Sequence, residues 1–312
     1  MSYSSHLKNE LTKIIPTEDC CIISEIAGLI GSCATIKIQG FNKIGLEFSG
    51  ENPAVIRLVF KLLKIQYGYS MDIVAAKNNQ LQQKNLYRGL VYDTHVASEV
   101  LFDTRIMENG SWSLEPVTTD KLKLMNNPCC RYSYLRGFFL GSGFMLNPKK
   151  NYQLEFIAGH QDQAEYISNL LKVDGIPASY YLRGNIHVLT IKDSEGISDL
   201  LSGMGALKAM LELENIRILK SMKNNVNRIV NCETANMSKT INRSMIQIDI
   251  INKIRKTPLW NNLEEDLVKL ALLRIKYPTD SLQELGDRMS PPISKSAVNY
   301  RFNKLMKIGK EL

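Results

Sequence analysis

The sequence predicts an α+β fold in which an αββαββα unit occurs twice and an all-α helix-turn-helix domain follows. The first two thirds of the chain repeat at an offset near 109 residues, and the last third changes to a basic, helical pattern. An offset of this size indicates two domain-sized copies rather than a solenoid. We expect copy one over residues 1–110, copy two over 111–219, a helical linker over 220–258 and the all-α domain over 259–312.

The repeat is visible in matched residues that keep their order along the chain. Cys20-Cys21 matches Cys129-Cys130 at an offset of 109, and Leu46–Phe48 matches Leu154–Phe156 at an offset of 108. Unrelated segments rarely give ordered matches at a nearly constant offset. The sequence therefore indicates a duplication.

Each copy has the same predicted order of elements. In copy one, an apolar helix precedes Thr35–Gln39 and Gly45–Phe48, whose alternation is typical of half-buried strands. A helix is predicted over Pro53–Gln66, because proline suits the first helical position and the apolar residues form one face. Strands at Ser70–Ala75 and Asn85–Tyr92 and a closing helix complete the copy. The corresponding strands of copy two are Ala178–Leu182 and Ile186–Ile191.

The leading helix of each copy contains small residues four positions apart. Ala27 pairs with Gly31 in this way, and Gly137 pairs with Gly141. Glycine inside a helix costs roughly 0.5–1 kcal/mol relative to alanine, so a compensating role is expected. We predict that these stripes let the two leading helices approach closely. In the alternative interpretation, these are turn glycines, and Gly141 to Gly143 end the helix as a C-cap.

These helices and strands resemble the LAGLIDADG homing endonucleases, in which two such helices pack side by side beneath a saddle of strands that sits on DNA. In active members, the eighth motif position of each copy is an acid that holds a divalent metal. Here those positions are Cys33 and Ser142. Magnesium prefers carboxylate oxygens, which neither side chain supplies. We therefore predict no catalytic residue, no metal, no cofactor and no enzymatic activity.

Other acidic and thiol side chains of the chain are less suitable as ligands of a catalytic metal. Glu25 lies at the far end of its helix, and the matched strand residues Glu47 and Glu155 are expected to face solvent. The adjacent cysteines lack the spacing of zinc knuckles, which favours buried structural thiols.

Composition favours a protein of a reducing, aqueous compartment. The chain has 312 residues and 44% hydrophobic content, enough for two or three cores. It has no apolar segment long enough to cross a membrane, and its polar start is unlike a secretory signal. Six cysteines without a disulfide pattern agree with this interpretation. We expect a cytoplasmic, nucleoid-associated protein with no membrane partner.

The positive charge is concentrated in the last third of the chain. Residues 1–219 contain 22 Lys+Arg and 22 Asp+Glu, whereas residues 220–312 contain 17 and 9. A basic module binds phosphates because neutralising them releases counterions. The charge pattern predicts DNA binding by the C-terminal part, with a merely solvated lysine face as the alternative.

Capping signals predict three helices in this part. Asn262 is predicted to cap the first, Ser281 and Glu284 form a capping box on the second, and Ser294 caps a third that ends near Ile308. This is helix-turn-helix spacing with a slightly long turn.

The third helix is predicted to have an apolar and a polar side. Its expected inward residues are Ala297, Val298, Phe302, Leu305 and Met306. The predicted DNA-binding residues are Ser294, Lys295, Ser296, Asn299, Tyr300, Asn303, Lys304 and Lys307. Such side chains suit base edges and phosphates. A small helical interaction domain is the alternative.

The segment Asn225–Asn236 lies between the two parts and is rich in asparagine, a poor helix former. Together with the cysteine pairs, the degenerate saddle and the trihelical region, it closely resembles the WhiA family of bacterial regulators. The resemblance covers nearly the whole chain. It implies a LAGLIDADG-like domain without nuclease activity, tethered to a helix-turn-helix, that acts in sporulation-linked transcription or in cell division and chromosome segregation.

These observations predict a non-enzymatic regulator that binds double-stranded DNA through its C-terminal module. The LAGLIDADG-like domain is expected to position that module or to recruit a protein partner, such as RNA polymerase or another regulator. Two alternatives remain: a protein-interaction scaffold at the nucleoid and a residual metal-dependent DNA endonuclease.

Overall fold

The computed structural model describes residues 2–38, 43–77, 85–108, 111–112 and 126–310. These residues form two compact units, Met1–Leu219 and Lys220–Leu312, each with its own hydrophobic core. Gln39, the predicted end of the first strand, and residue 110, the predicted end of copy one, lie outside the described residues.

The first unit contains the predicted repeat, preceded by a short helix. Copy one comprises α1 (Tyr3–Leu11), α2 (Asp19–Cys33), β1 (Ala34–Ile38), β2 (Ile44–Gly50), α3 (Pro53–Tyr67), β3 (Asp72–Lys77), β4 (Asn85–Val91) and α4 (Thr94–Asp103). A small hairpin follows, formed by β5 (Met107–Glu108) and β6 (Ser111–Trp112). Copy two comprises α5 (Pro128–Ser142), β7 (Phe144–Met145), β8 (Leu154–Ala158), α6 (Gln161–Val173), β9 (Ser179–Arg183), β10 (Ile186–Ile191) and α7 (Ser194–Met204). The αββαββα order is confirmed in both copies.

The two sheets have the same topology. Their strand orders are β1-β2-β4-β3 and β7-β8-β10-β9, and every neighbouring pair is antiparallel. Phe48 and Phe156 occupy equivalent positions on the second strand of each sheet, and both are fully buried. Because side chains alternate along a strand, Glu47 and Glu155 share the opposite face of their sheets.

Local signals explain the ends of α3. Asn52 caps it by accepting a hydrogen bond from the amide of Ala54, and Pro53 occupies its first turn. Gly68 ends it in the left-handed conformation, with φ of 66°. The strand predicted from Ser70 begins two residues later, at Asp72.

The central helices α2 and α5 cross with their backbones in direct contact at glycine residues. A Cβ atom on Gly137 would lie 2.2 Å from the carbonyl oxygen of Glu25, and one on Gly28 would lie 2.2 Å from that of Tyr134. The predicted close approach is confirmed, but the predicted pairing of Ala27 with Gly31 is wrong. A Cβ atom on Gly31 would meet the side chains of Gln163 and of Phe138 in α5, not the backbone of α5.

The C-cap interpretation of the later glycines is correct only in part. Gly143 does follow the last residue of α5, but its φ of −73° is extended rather than left-handed. Gly141 lies within α5, where a Cβ atom would meet the hydroxyl of Ser32. It therefore belongs to the helix contact.

A buried ion pair joins the central helices. Arg136 of α5 donates two hydrogen bonds to Glu25 of α2, at 2.9 Å and 2.6 Å, and a third to the carbonyl of Met204 at 3.2 Å. Both side chains are buried, so removal of either partner would leave an unpaired charge in the core. The carboxylate of Glu25 is thus engaged by Arg136 within the core.

The second unit begins within a long helix. This part contains the end of α8 (Leu207–Arg255), a 3-10 turn (Pro258–Asn262), α9 (Glu265–Lys276), α10 (Leu282–Asp287) and α11 (Lys295–Lys310). Its core includes Ile251 and Ile254 from the predicted linker, together with Phe302 of α11. The compact second unit therefore begins before residue 259, the predicted start of the all-α domain.

Two of the three predicted caps are confirmed. Ser281 and Glu284 form the capping box of α10, and Ser294 accepts a hydrogen bond from the amide of Ala297 at the start of α11. The prediction for Asn262 is wrong, because this residue lies in the 3-10 turn and Glu264 precedes α9. In the described parts of the chain, no helix has both the length and the apolar character needed to span a membrane.

Gly137→Ala is expected to destabilise the first unit, because its methyl group cannot fit against the backbone of α2. Overpacking of this kind costs roughly 1–3 kcal/mol or more. Urea unfolding followed by circular dichroism measures the loss. The control is Gly159→Ala, where a Cβ atom would meet nothing within 4 Å. Equal stability of the two variants would contradict the close crossing.

Candidate nucleic-acid interface

A short turn connects α10 to α11, and backbone contacts fix its conformation. The amide of Ile293 donates to the carbonyl of Gly286 at 3.0 Å, which closes the turn between them. A Cβ atom on Gly286 would lie 2.3 Å from the carbonyl oxygen of Ile293, so only glycine permits this contact. Val298, Phe302 and Leu305 then bury the inner side of α11.

The outer side of α11 is the candidate interface. All the predicted DNA-binding residues are exposed: Ser294, Lys295, Ser296, Asn299, Tyr300, Asn303, Lys304 and Lys307. From Ser296 to Lys307 they recur every three or four positions, which aligns them on one helix face. The side chain of Tyr300 is 72% exposed. The helix therefore presents amides, hydroxyls and ammonium groups to the outside.

The two predicted inward residues at the edges of the core are less buried than expected. Ala297 and Met306 are only partly buried. They flank the outer face on either side, so the polar surface covers about half of the helix circumference.

Lys304 differs from the other predicted contacts because it already has a partner. Its ammonium group lies 2.5 Å from Glu264, and one turn earlier Arg301 lies 3.1 Å from Asp266. These pairs tie α11 to the start of α9. Sequence reasoning missed them because the partners lie 40 and 35 residues apart. Lys304 therefore orients the helix as well as adding positive charge.

On the outer face of each sheet, a glutamate pairs with neighbouring basic side chains. Glu47 lies between Lys37, at 3.2 Å, and Arg88, at 3.4 Å. At the equivalent place in copy two, Glu155 binds Arg183 at 3.0 Å and accepts a hydrogen bond from Tyr181 at 2.8 Å. Glu155 offsets the charge of Arg183, and Glu47 offsets one of its two basic neighbours, which weakens the attraction of these faces for phosphates.

The expectation that both glutamates face solvent is wrong for Glu155. Its residue exposure is 2%, because Tyr181, Arg183 and Gln153 cover it. Its carboxylate is fully engaged and is not a substitute metal ligand.

The C-terminal ends of α2 and α5 carry Cys33 and Ser142, at the positions of the predicted missing acids. The thiol of Cys33 donates to the carbonyl of Leu29 at 3.3 Å, and burial raises its pKa to about 11. The hydroxyl of Ser142 is buried and has no hydrogen-bond partner among the described residues. At neutral pH neither Cys33 nor Ser142 supplies an anionic ligand, so these two positions do not fit a hard divalent cation.

A lysine of the chain lies at this same end. Lys8 of α1 and Cys33 line a cavity of about 970 Å³. Arg57 and Lys61 of α3 line the same cavity. The ammonium group of Lys8 lies 5.8 Å from the centre of the Phe139 ring. Burial lowers the pKa of Lys8 to about 8, although Cys33 and Glu51 oppose this shift. The cation here is a side chain, which would repel a metal ion.

The fold and these surfaces define a class of protein: a duplicated LAGLIDADG-like α+β domain without paired catalytic acids, followed by a helix-turn-helix unit. Three family models match successive parts of the chain. They are the WhiA N-terminal LAGLIDADG-like domain (residues 19–107), the WhiA LAGLIDADG-like domain (131–223) and the WhiA C-terminal HTH domain (226–309). The chain belongs to the WhiA family.

Relatives of similar length support this assignment. The chain is 40% identical over 309 residues to the "Probable cell division protein WhiA" of Alkaliphilus metalliredigens, covering 99% of this chain and 98% of the relative. It is 38% identical over 312 residues to the protein of the same name from Clostridium acetobutylicum, covering 100% and 98%. The crystal structure of full-length WhiA from Thermotoga maritima has a similar fold, with a TM-score of 0.60, 24% identity, and coverage of 100% and 99%.

Lys8→Met is expected to stabilise the protein at pH 7, because the folded state holds a protonated lysine against its lowered pKa. Each pKa unit corresponds to about 1.4 kcal/mol, which gives a gain of roughly 1–3 kcal/mol. Between about pH 8 and pH 10 the folded wild type releases this proton while the unfolded chain keeps it. The wild type should therefore gain stability with rising pH, and the advantage of the variant should shrink.

Urea unfolding at several pH values between 7 and 10 measures this trend. The control is Lys13→Met, which removes an exposed lysine just beyond α1. A pH-independent difference between Lys8→Met and the wild type would argue against a buried ammonium group.

Proposed function

We propose that this protein is a non-enzymatic regulator that binds double-stranded DNA through α11. The exposed polar face of that helix carries the proposal. Its first residues, Ser294 to Asn299, lie at the helix N-terminus, the part of a recognition helix that usually contacts bases. Lys295 and Lys307 lie towards the two ends of the face, where they can reach phosphates on either side of a groove.

The distribution of charge agrees with this role. The C-terminal residues 220–312 contain 17 basic and 9 acidic residues, whereas the first unit is neutral. Electrostatic attraction to DNA thus originates in the part that contains α11. In this proposal residues 1–219 form a platform of two copies, joined near residue 110, residues 220–258 form the linker, and residues 259–312 form the DNA-binding domain.

The first unit is proposed to engage a protein rather than DNA. Basic side chains on its sheet faces pair with Glu47 and Glu155, while apolar side chains are exposed on its edge strands, including Ile38 at 70% and Leu182 at 58%. Such edges suit a protein partner, for example RNA polymerase or another regulator. The domain would then hold that partner close to the bound DNA.

Relatives that carry the cell division name support a role in that process. We propose that DNA occupancy by this protein controls cell division, chromosome segregation or sporulation-linked transcription, in the cytoplasm at the nucleoid. Cys33 and Ser142 argue against DNA cleavage, because two-metal hydrolysis needs ligands that hold both ions.

The Asn299→Ala/Asn303→Ala variant is expected to lose sequence preference while it retains general DNA affinity. Each lost base contact costs roughly 1–3 kcal/mol of discrimination. The measurement is selection from random duplexes, followed by titration of the enriched and scrambled sequences. Lys307→Ala should weaken both sequences equally and lower the salt slope by about one unit.

Lys269→Ala is the matched control, since it removes an exposed lysine from α9 instead of α11. If neither α11 variant differs from it, the DNA-binding proposal fails and the scaffold alternative gains support.

Incubation of the purified protein with supercoiled plasmid and Mg²⁺ is expected to give no nicked product over several hours. Gel electrophoresis of the plasmid measures the outcome, and a sample with EDTA gives the background. Nicking that requires Mg²⁺ and co-purifies with the protein through successive columns would restore the endonuclease alternative.

A further inference from the structure

The two cysteine pairs meet at the N-terminal ends of the central helices. Cys20 and Cys21 are the second and third residues of α2, and Cys129 and Cys130 are the second and third residues of α5. The duplication therefore places four thiols at equivalent positions on two helices that cross. Sequence reasoning discounted them because adjacent cysteines lack zinc-knuckle spacing, but the helix crossing supplies the missing neighbours.

The sulfur atoms are grouped in three dimensions. Cys21 Sγ lies 3.9 Å from Cys130 Sγ, which in turn lies 3.9 Å from Cys129 Sγ. The sulfurs of Cys20, Cys21 and Cys130 all lie within 4.8 Å of one another. The thiol of Cys129 also interacts with that of Cys21, and the thiol of Cys130 with that of Cys20. Each pair thus contacts the other across the helix crossing.

These separations match a tetrahedral thiolate site. Zinc binds cysteine sulfur at about 2.3 Å, so two sulfurs of a tetrahedral site lie about 3.8 Å apart. A disulfide would need its sulfurs at about 2.0 Å. The two separations of 3.9 Å agree with the former spacing. Cys129 lies outside the group of three sulfurs that are mutually within 4.8 Å, so its side chain must move to become the fourth ligand.

The buried thiols are protonated in the metal-free protein, because burial raises the pKa of Cys21 to about 11 and raises that of Cys130 as well. Both helices point their N-termini at the cluster, and neither N-terminus has a side-chain cap. The helix dipoles favour negative charge on sulfur, but for Cys21 and Cys130 the effect of burial is larger. Cys21 and Cys130 are buried while Cys20 and Cys129 are exposed, so the cluster has a protected base and an open side through which an ion can enter.

We propose that Cys20, Cys21, Cys129 and Cys130 form a binding site for one thiophilic cation of the Zn²⁺ type. On binding, each of the four thiols releases a proton to solvent and forms one metal–sulfur bond, so no oxidant takes part. Soft thiolate ligands select such ions over Mg²⁺ or Ca²⁺. The site lies at the opposite end of the 15-residue helices from Cys33 and Ser142, about 20 Å away along the helix. Its role is structural: it fastens the two copies together where the central helices begin.

The experiment uses the full chain, purified with a non-thiol reductant and stripped of metal with a chelator. Zn²⁺ is titrated in competition with a chromophoric chelator, and the metal content is measured by mass spectrometry. We expect one Zn²⁺ per chain and a higher melting temperature. Co²⁺ should give the charge-transfer and d–d absorption bands of tetrahedral thiolate coordination.

The test variant is Cys20→Ser/Cys129→Ser, which changes only exposed residues and leaves the buried thiols in the core. Its affinity for Zn²⁺ should fall by more than about 100-fold, because loss of even a supporting outer contact lowers metal affinity roughly 10- to 100-fold. Cys232→Ser is the matched control, since this exposed thiol lies on α8 outside the cluster, and it should bind like the wild type. Circular dichroism of the metal-free proteins checks that all three fold alike.

Three outcomes would overturn the proposal. The wild type could fail to hold Zn²⁺ against the chelator, or the double variant could bind as tightly as the wild type. The third is a chain that, without reductant, is two hydrogens lighter and binds no metal after reduction, which would assign the cluster to a disulfide instead.

Discussion

The close crossing of α2 and α5 is the constraint on which the first unit depends. With glycine at positions 28 and 137, each backbone touches the other directly, and a Cβ atom at either position would lie 2.2 Å from a carbonyl oxygen. No side chain can fill that space, so the two copies have only one way to pack. The buried Glu25–Arg136 pair then fixes the register, because its two hydrogen bonds form only at this alignment.

The crossing also determines what each end of the helix pair can do. At one end it places Cys33, rather than a carboxylate of the helix pair, beside a cavity that Lys8 and Glu51 also line. At the other end it gathers four thiols from residues 109 positions apart. The C-terminal ends of α2 and α5 thus lack the paired carboxylates that a hard metal ion needs. Their N-terminal ends group four thiols, which are the ligands that soft metal ions prefer.

Features set by local sequence could be predicted, and features set by distant partners could not. The duplicated element order, the capping box at Ser281 and the polar face of α11 follow from periodicity and capping, and the structure contains all three. The error at Asn262 arose because a 3-10 turn competed with the helix start. Three features depend instead on how helices and strands pack, which residue spacing in the sequence does not show. They are the Lys304–Glu264 pair, the burial of Glu155 beneath its neighbours, and the thiol cluster.

Charge balance separates the roles of the two units. A nuclease saddle that grips DNA needs basic side chains free to meet phosphates, but Glu47 and Glu155 hold the nearest ones in pairs within each sheet. The two glutamates occupy equivalent positions in the two copies, so each repeated unit has its own ion-paired glutamate on the sheet face. The excess of basic residues over acidic ones lies in residues 220–312, where α11 presents its polar face. Electrostatic attraction to DNA is therefore expected to be stronger for residues 220–312 than for the first unit, whose basic and acidic residues are equal in number.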